Sequence, residues 1–336
     1  MDYNLFVIGD TTLDTFLRLD TKEASVVKED GRQVLELRFA DKIPVAEFHE
    51  TIGGNSANAA VTGARMGLTT AIWTIMGADQ VGERAKRSFE KEGVITDYFF
   101  TDEKIHSKVS TIINYGGERT IFIYGDHISY MLPQLGPAKW AYVSSMGEVT
   151  GDVYDDIAEW VAMHNVKLAY QPGTFQLRMG AEKTKKLLSV TEVILMNKEE
   201  ATEYVESRKS DIRGQSSEIG IKSLLEGLLE LGPKIAVITD GSNGAYVSDG
   251  KTIWSQGIDE SVPVIEKTGA GDAYSSALVI ALQKGHDIPT AMRWGAENSR
   301  SVIQKIGPQA GILTLDEMEK SVRVENASLR VTKNTV

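Results

Sequence analysis

The chain has 336 residues, a net charge of −11 and no cysteine. The acidic balance disfavours nucleic acid as a partner, because neutralising a phosphate backbone needs a basic face. The missing cysteine excludes disulfides, thiolate zinc sites and cysteine nucleophiles. No secretory signal is visible, and no apolar run approaches the roughly 18 residues that span a membrane. These features predict a cytoplasmic enzyme or binding protein without a membrane partner.

Most of the chain has the pattern of an α/β protein. Residues 5–8 form a short apolar run typical of a buried parallel strand. Strands alternating with helices predict a mostly parallel sheet with helices on both faces. The further predicted strands are residues 70–75, 140–144, 167–170, 193–196, 234–239 and 245–247. The predicted helices are residues 83–92, 152–164, 183–188, 221–231, 273–284 and 289–306, with residues 207–217 as a loop.

Two segments have a different pattern and predict a small separate sheet. Residues 16–19 and 34–39 alternate apolar and polar side chains, as half-exposed antiparallel strands do. Residues 107–114 and 119–124 are joined by a Gly-Gly turn, which is typical of a hairpin. We expect these insertions, at about 15–50 and 105–126, to form a lid on a domain spanning 1–325, followed by a loose tail at 326–336. The exposed lid face is also a candidate homodimer interface.

Polar residues with acceptor chemistry follow the first strand and open the first helix. Asp14 lies in a predicted turn at the carboxyl end of the first strand, where open α/β sheets bind ligands. Gly54, Asn55 and Asn58 lie where a small-residue helix begins, and the two amides suit a polyol. The competing interpretations are a solvated turn aspartate and an N-cap formed by Asn55 or Ser56.

Two later strand ends carry a second group of candidates. Asn197 and Glu200 follow a predicted strand, and Glu200 is a candidate to order Mg²⁺ through water. A capping box is the competing interpretation. Thr239, Gly241 and Gly244 follow the next strand and are candidates for nucleotide phosphates, unless they form only a hairpin turn.

The stretch from Thr268 to Asp272 is a small-residue loop that opens a helix. The first turn of a helix has unpaired amides that bind anions, and glycines let the backbone approach them. An aspartate in this loop suits a base placed beside a phosphate site, as phosphoryl transfer to a hydroxyl requires. A simple helix cap by Asp272 is the competing interpretation.

The ordered set of motifs resembles the ribokinase-like (PfkB-type) carbohydrate kinase family over about residues 4–320. These motifs are Gly53-Gly54-Asn55-Ser56-Ala57-Asn58, Gly77-x-Asp79-x-x-Gly82, Asn197-x-x-Glu200, Thr239-x-Gly241-x-x-Gly244 and Thr268-Gly269-Ala270-Gly271-Asp272. The resemblance implies a three-layer α/β/α sandwich with a mostly parallel central sheet and a small β-sheet lid. It also implies transfer of the γ-phosphoryl group of ATP to a hydroxyl of a sugar or nucleoside, with Mg²⁺.

The resemblance assigns a role to each candidate residue. Asp272 is the implied base, and the amides of Gly269, Ala270 and Gly271 form the implied anion hole. The implied residues that hold the sugar are Asp14, Gly54, Asn55, Asn58 and, by a looser match, Glu148. The implied residues on the nucleotide side are Asn197, Thr239, Gly241, Gly244 and, loosely, Asn298, with Glu200 acting near the metal.

Two departures from the family pattern concern the cation and the acceptor. Glu266-Lys267 stands where many members have an aspartate, near the carboxylate that helps some of them bind K⁺, so monovalent-cation dependence is open. Asn55 stands where ribokinases proper have lysine, which disfavours ribose.

Three alternatives to a sugar kinase remain. A nucleoside kinase of the same family presents the same ribose hydroxyls to Asp14 and Asn58. A non-catalytic sugar- or nucleotide-binding regulator could keep the fold, although the intact loop ending in Asp272 disfavours it. A dinucleotide-dependent dehydrogenase is disfavoured because no Gly-x-Gly-x-x-Gly follows the first strand.

Overall fold

The structure is a computed structural model that describes residues 2–148, 152–206 and 219–335. Its strands are β1 (Tyr3–Ile8), β2 (Thr12–Leu19), β3 (Ala24–Glu29), β4 (Arg32–Leu37), β5 (Val45–Gly53), β6 (Thr70–Gly77), β7 (Phe99–Asp102), β8 (Val109–Tyr115), β9 (Glu118–Tyr124), β10 (Ala138–Val143), β11 (Lys167–Tyr170), β12 (Thr191–Asn197), β13 (Ile235–Thr239), β14 (Ala245–Ser248), β15 (Thr252–Gln256) and β16 (Val331–Thr335). Its α-helices are α1 (Asn55–Arg65), α2 (Gln80–Lys91), α3 (Val153–His164), α4 (Thr174–Met179), α5 (Lys185–Ser189), α6 (Lys198–Glu206), α7 (Ile221–Leu229), α8 (Ala270–Gln283), α9 (Ile288–Val302) and α10 (Leu315–Arg323).

The main sheet has 10 strands in the order β16-β15-β14-β13-β12-β11-β10-β1-β6-β7. The strands from β13 to β7 pair in parallel. The pairs β13–β14, β14–β15 and β15–β16 are antiparallel and complete one edge. The parallel part brings the carboxyl ends of β1, β12 and β13 to one edge of the sheet, where polar loops can meet.

Alternation along β1 explains why helices cover both faces of the main sheet. Leu5 and Val7 join one apolar cluster, which includes residues of α1, α8 and α9. Phe6 and Ile8 point the other way and join a second cluster with residues of α3 and α7. A strand buried on both faces needs such a continuous apolar run. The predicted three-layer α/β/α sandwich is confirmed.

The lid is a second sheet with the order β5-β2-β8-β9. Strands β2 and β5 come from the first predicted insertion, and β8 and β9 come from the second. The predicted joint sheet is therefore confirmed. Residues 34–39 do not belong to it, because β4 pairs only with β3 in a separate two-stranded ribbon.

Two local predictions are wrong. Asp14 lies inside strand β2 instead of a turn, because β2 pairs with β5 from Thr12 onward and with β8 from Leu13 onward. The predicted loose tail instead forms β16, which pairs with β15. Leu329 is buried just before it, and its carbonyl accepts a bond from Gln256. The sequence pattern did not predict β15, so it offered no edge for the tail to join.

Residues 207–217, predicted as a loop, lie outside the described residues. Among the helices that the structure does describe, none is long and apolar enough to cross a membrane.

Candidate active site

Asp272 occupies the third position of α8, in a loop built to leave amides unpaired. The first intrahelical bond at this end is donated by Ala273 to the carbonyl of Gly269, at 2.8 Å. In the part of the chain that the structure describes, the amides of Gly269, Gly271 and Asp272 have no backbone partner. A Cβ added at Gly271 would meet no atom within 4 Å, so this end of the helix is open to a ligand. The loop is thus suited to hold an anion.

One predicted member of the anion hole is engaged elsewhere. The amide of Ala270 donates to the carbonyl of Lys267 at 3.2 Å, which closes a turn at the helix entrance. Gly269 is the N-cap, with a φ of 83° that favours glycine. A side chain there would also meet Pro308, because an added Cβ would lie 2.4 Å from its Cβ. The turn therefore requires glycine at position 269. Because the turn uses the Ala270 amide, the amides of Gly269 and Gly271 remain as the donors for an anion.

Both carboxylate oxygens of Asp272 accept side-chain amides. Asn58 Nδ2 lies 2.8 Å from Oδ2, and Gln171 Nε2 lies 2.9 Å from Oδ1. Gln171 is oriented by the hydroxyl of Tyr142, which donates to its Oε1 at 2.6 Å. The cap interpretation of Asp272 is wrong, because its side chain makes no capping bond. The carboxylate is instead held in one orientation by groups from α1 and from the end of β11.

Asp14 lies close to the same centre and is 7% exposed. Its Oδ1 accepts a bond from Thr12 Oγ1 at 2.7 Å. Burial raises the pKa of Asp14, hydrogen bonds from Thr12 and Ser110 oppose this change, and the charge of Asp272 adds to it. The charge of Asp272 thus acts on Asp14, which places the two carboxyl groups near one another.

The same environment includes Glu200. Burial raises its pKa, a bond from the Asn197 amide opposes the shift, and the charge of Asp272 raises the pKa further. Burial likewise raises the pKa of Asp272, whereas the bonds from Asn58 and Gln171 and the charge of Arg119 lower it. The charge of Asp272 therefore acts on both Asp14 and Glu200, and three carboxyl groups near one another suit the binding of cations and of hydroxyl donors.

The beginning of α1 carries the remaining acceptor candidates. Gly54 is the N-cap, with a φ of 97°, and an added Cβ would lie 2.8 Å from the carbonyl of Asp10. The cap interpretation of Asn55 and Ser56 is wrong, since Gly54 holds that position without a side-chain bond and Ser56 Oγ donates to Asp10. Asn55 is the first residue of α1 and is half-buried.

The nucleotide-side candidates lie at the ends of two paired strands. Asn197 ends β12 and stands opposite Thr239, which ends β13. The Asn197 amide donates to Glu200 at 2.9 Å, and the Glu200 amide donates to Asn197 at 2.8 Å, so the capping box is formed. Gly241 and Gly244 lie in the turn between antiparallel β13 and β14, closed by a 2.8 Å bond from Asp240 to Gly244. The hairpin interpretation thus holds, and the turn remains at the same sheet edge.

Two loosely matched candidates make no described contact with the side chains of Asp272 or Asp14. Asn298 is fully buried, donates to the Ala273 carbonyl at 2.9 Å and accepts from the Leu313 amide at 3.0 Å. Its side chain supports α8 from behind and has no surface for a base. Glu148 is exposed, and no described contact joins it to Asp272 or Asp14.

A buried charged group beside the acceptor side of the site was not predicted. Lys108 forms an ion pair with Asp10, and the two side chains are 11% and 9% exposed. The Tyr130 hydroxyl donates to Asp10 at 2.6 Å and accepts the Gly147 amide at 2.9 Å. Asp10 follows a strand and so offered a signal in the sequence. Lys108 lies just before β8 and Tyr130 lies after β9, and neither position offered one.

The lid also directly contacts the loop that leads into α8. Asn114 of β8 donates to Glu266 at 2.5 Å, and Glu118 of β9 pairs with Lys267 at 3.1 Å. Arg119 lowers the pKa of Asp272 through its positive charge. These contacts join the lid to the beginning of α8, which no local pattern in the sequence indicates.

The carboxylates of the site allow one particular kind of metal binding. Within the described ranges, no group of three or more His, Cys, Asp and Glu residues is arranged to hold a metal ion. Mg²⁺ is commonly bound by one or two carboxylates, several waters and substrate phosphates, so it does not require such a cage. Glu200 at the shared sheet edge fits this mode of binding.

The comparisons with known proteins agree with the fold. The sequence profile of the family described as pfkB family carbohydrate kinase matches residues 27–315. Ribokinase of Staphylococcus aureus is 27% identical over 333 residues, which cover 95% of this chain and 100% of that protein. 5-Dehydro-2-deoxygluconokinase of Bacillus subtilis is 25% identical over 319 residues, which cover 88% of this chain and 95% of that protein.

Among solved structures, ribokinase of Arabidopsis thaliana, complexed with ribose and ATP, has a TM-score of 0.76. The two sequences are 18% identical, and the match covers 97% of this chain and 100% of the other. At this identity the match speaks for the shared fold.

Proposed function

Because the chain belongs to the pfkB family of carbohydrate kinases, we propose that it transfers the γ-phosphoryl group of ATP to a hydroxyl of a small sugar, with Asp272 as the base. The observation that carries this proposal is the position of Asp272. It lies beside the unpaired amides of Gly269 and Gly271, while Asn58 and Gln171 hold its carboxylate. A base and an anion site in contact are the elements that phosphoryl transfer needs.

The proposed reaction distributes its tasks over the site. Asp14, Gly54, Asn55 and Asn58 hold the acceptor. Asn58 contacts Asp272, the charge of Asp272 acts on Asp14 of β2, and Gly54 and Asn55 lie at the beginning of α1 beside Asn58. Asp272 accepts the proton of the attacking hydroxyl, whose oxygen forms the bond to the γ-phosphorus while the bond to ADP breaks. The amides of Gly269 and Gly271 stabilise the charge on the moving phosphoryl group. Asn197, Thr239, Gly241 and Gly244 face the nucleotide from the ends of β12 and β13.

Mg²⁺, when bound with ATP, neutralises charge on the phosphates. Glu200 is the residue that would order it through water.

A monovalent cation would find few free acceptor positions on the carboxylate of Glu266. Glu266 already accepts three hydrogen bonds, from Thr268 and Asn114. We therefore expect equal turnover in K⁺ and Na⁺ buffers, and a strong K⁺ dependence would contradict this expectation.

A coupled ADP-release assay tests the activity and the acceptor class together. The acceptor panel contains ribose, fructose, 2-keto-3-deoxygluconate, 5-dehydro-2-deoxygluconate, adenosine, inosine and cytidine, with the Asp272→Asn variant as the blank. We expect release with one or more of the sugars. Release with nucleosides alone would replace the sugar assignment with a nucleoside kinase, and no release with any acceptor would favour a non-catalytic binding protein.

We also propose that the lid forms a homodimer. Every residue of β9 is exposed, and Ile121, Phe122 and Ile123 are 43%, 59% and 67% exposed. An edge strand with apolar side chains and unpaired backbone groups is suited to pair with a second copy. Light scattering on the eluted protein should give twice the chain mass, and the Phe122→Lys/Ile123→Lys variant should give the monomer mass. A monomeric wild-type protein would reject the dimer.

A further inference from the structure

Glu266 is buried at the entrance to the catalytic loop, although its neighbours Ile265 and Lys267 are exposed. It is 8% exposed, whereas Ile265 is 58% exposed. The amides of Ile265 and Glu266 both donate to the carbonyl of Ile303, at 2.8 and 3.2 Å. This anchors the backbone of the loop to the residue that follows α9. The carboxylate of Glu266 is thus buried, although an exposed position would avoid the desolvation cost of burying a charged group.

The carboxylate of Glu266 joins two parts of the molecule that are distant in sequence. Its Oε1 accepts the amide and the hydroxyl of Thr268, at 3.0 and 2.8 Å. Its Oε2 accepts the side-chain amide of Asn114, at 2.5 Å. Thr268 precedes the N-cap Gly269, and Asn114 lies on lid strand β8. One buried side chain therefore holds both the entrance to α8 and the lid.

The two ends of this connection both lead to the reaction centre. Thr268 leads into the unpaired amides of α8 and to Asp272. Strand β8 pairs with β2, where Ser110 stands opposite Asp14. A shift of the lid would therefore be transmitted to the loop through Asn114 and Glu266. Hydrogen bonds to a charged group are stronger and more directional than those between neutral groups.

We infer that Glu266 is a positioning residue that couples the lid to the anion-binding loop. Its side chain bonds to Thr268 and Asn114, neither of which is assigned to the acceptor or the nucleotide, and it acts by fixing Thr268 in a geometry that depends on Asn114. This inference rests on the proposed kinase function for its turnover measurements. The nearby pair of Lys267 and Glu118 also joins the lid to the loop, but its side chains are 53% and 76% exposed. Such a pair contributes little, which makes it a matched control.

A side-chain exchange tests the coupling. Asn114→Asp alone places a carboxylate against that of Glu266, and we expect a loss of about tenfold to a hundredfold in kcat, the effect of losing one hydrogen bond to a charged group. KM values for ATP and the acceptor should change much less. Adding Glu266→Gln restores one donor and one acceptor across the pair. The Asn114→Asp/Glu266→Gln variant should recover to within about fivefold of the wild-type kcat, because directly contacting residues are strongly non-additive.

The control and a second measurement separate this role from simple support of the fold. Glu118→Gln should leave kcat within about twofold of wild type. A double variant no better than the product of the two single variants would overturn the coupling, as would an Asn114→Asp variant with wild-type kcat.

Hydrogen exchange gives a reading that does not depend on the acceptor. Asn114→Asp should speed amide exchange in the segment 266–272, and Glu266→Gln should reverse this in the double variant. If the wild-type enzyme phosphorylates none of the acceptors, the proposed function fails, and the coupling is judged by exchange alone. Unchanged exchange in Asn114→Asp would then overturn it.

Discussion

Asn58 and Asp272 are 214 positions apart in the chain, and a hydrogen bond of 2.8 Å joins the amide of the first to the carboxylate of the second. The amide orientation is set from behind, because Gln309 Nε2 donates to Asn58 Oδ1 at 3.1 Å. The first turns of α1 and α8 are thereby locked together. A residue assigned to the acceptor thus also orients the assigned base, so substitutions at Asn58 should affect both binding and turnover.

Asp272→Ala tests the base. We expect a loss of about 10²- to 10⁴-fold in kcat, the usual contribution of a positioned base. Titration calorimetry should show nearly unchanged ATP affinity, because the amides of Gly269 and Gly271 remain. Near-normal turnover in this variant would reject Asp272 as the base.

Gln171→Leu should change the pH dependence of the reaction. Burial raises the pKa of Asp272, and the bond from Gln171 opposes that rise by stabilising the charged form. A base works when deprotonated, so the rate falls as the pH drops through its pKa. Removing the bond raises the pKa further, and the acid limb of kcat/KM should move to higher pH.

The matched control for this experiment is Gln304→Leu. Gln304 is half-buried, and its amide donates to the carbonyl of Arg300 on α9. Its acid limb should coincide with that of the wild type. A Gln171→Leu limb that stays in place, or moves to lower pH, would show that the bond does not stabilise the ionised base.

Lys108→Met should destabilise the fold strongly. It leaves the buried carboxylate of Asp10 without its cation, and breaking one partner of a buried pair costs about 3–5 kcal/mol. Urea denaturation measures this cost. Adding Asp10→Asn should recover most of it, because an amide oxygen can still accept from Tyr130. Lys234→Met breaks a pair in which the lysine is 74% exposed, and should cost about 0–1 kcal/mol.

Equal stability losses for Lys108→Met and Lys234→Met would contradict the assignment of the first as a buried pair. A double variant as unstable as Lys108→Met alone would show that the unpaired charge is not the source of the loss.

Glu200→Gln separates the metal role from the capping box. Glutamine can still accept the amide of Asn197, so the free energy of unfolding should change little. The charge is lost, and the Mg²⁺ concentration for half-maximal turnover should rise. Glu200→Ala removes both functions and should also cost about 1 kcal/mol of stability, as typical cap losses do. An unchanged Mg²⁺ requirement in both variants would leave Glu200 with the capping role alone.

Local patterns accounted for much of the fold. The apolar run of β1 predicted a strand buried on both faces, and β1 packs into both apolar clusters. The Gly-Gly turn predicted the β8–β9 hairpin. The separate ribbon and β16 were missed, since the choice of partner strand depends on which edges are open. Periodicity reports which faces a strand buries, and it does not report which strand it pairs with.

The sequence alone indicated Asp272 and the polar candidates at strand ends, because these motifs are read from neighbouring positions. Only the tertiary structure decided how they are held. Gln171 orients Asp272, Ala270 is engaged in a turn, Asn298 supports α8, and Glu266 joins Thr268 to Asn114. The physical reason is that hydrogen bonds and charges act over a few ångströms in space. Residues that meet at those distances here are often more than one hundred positions apart in the chain.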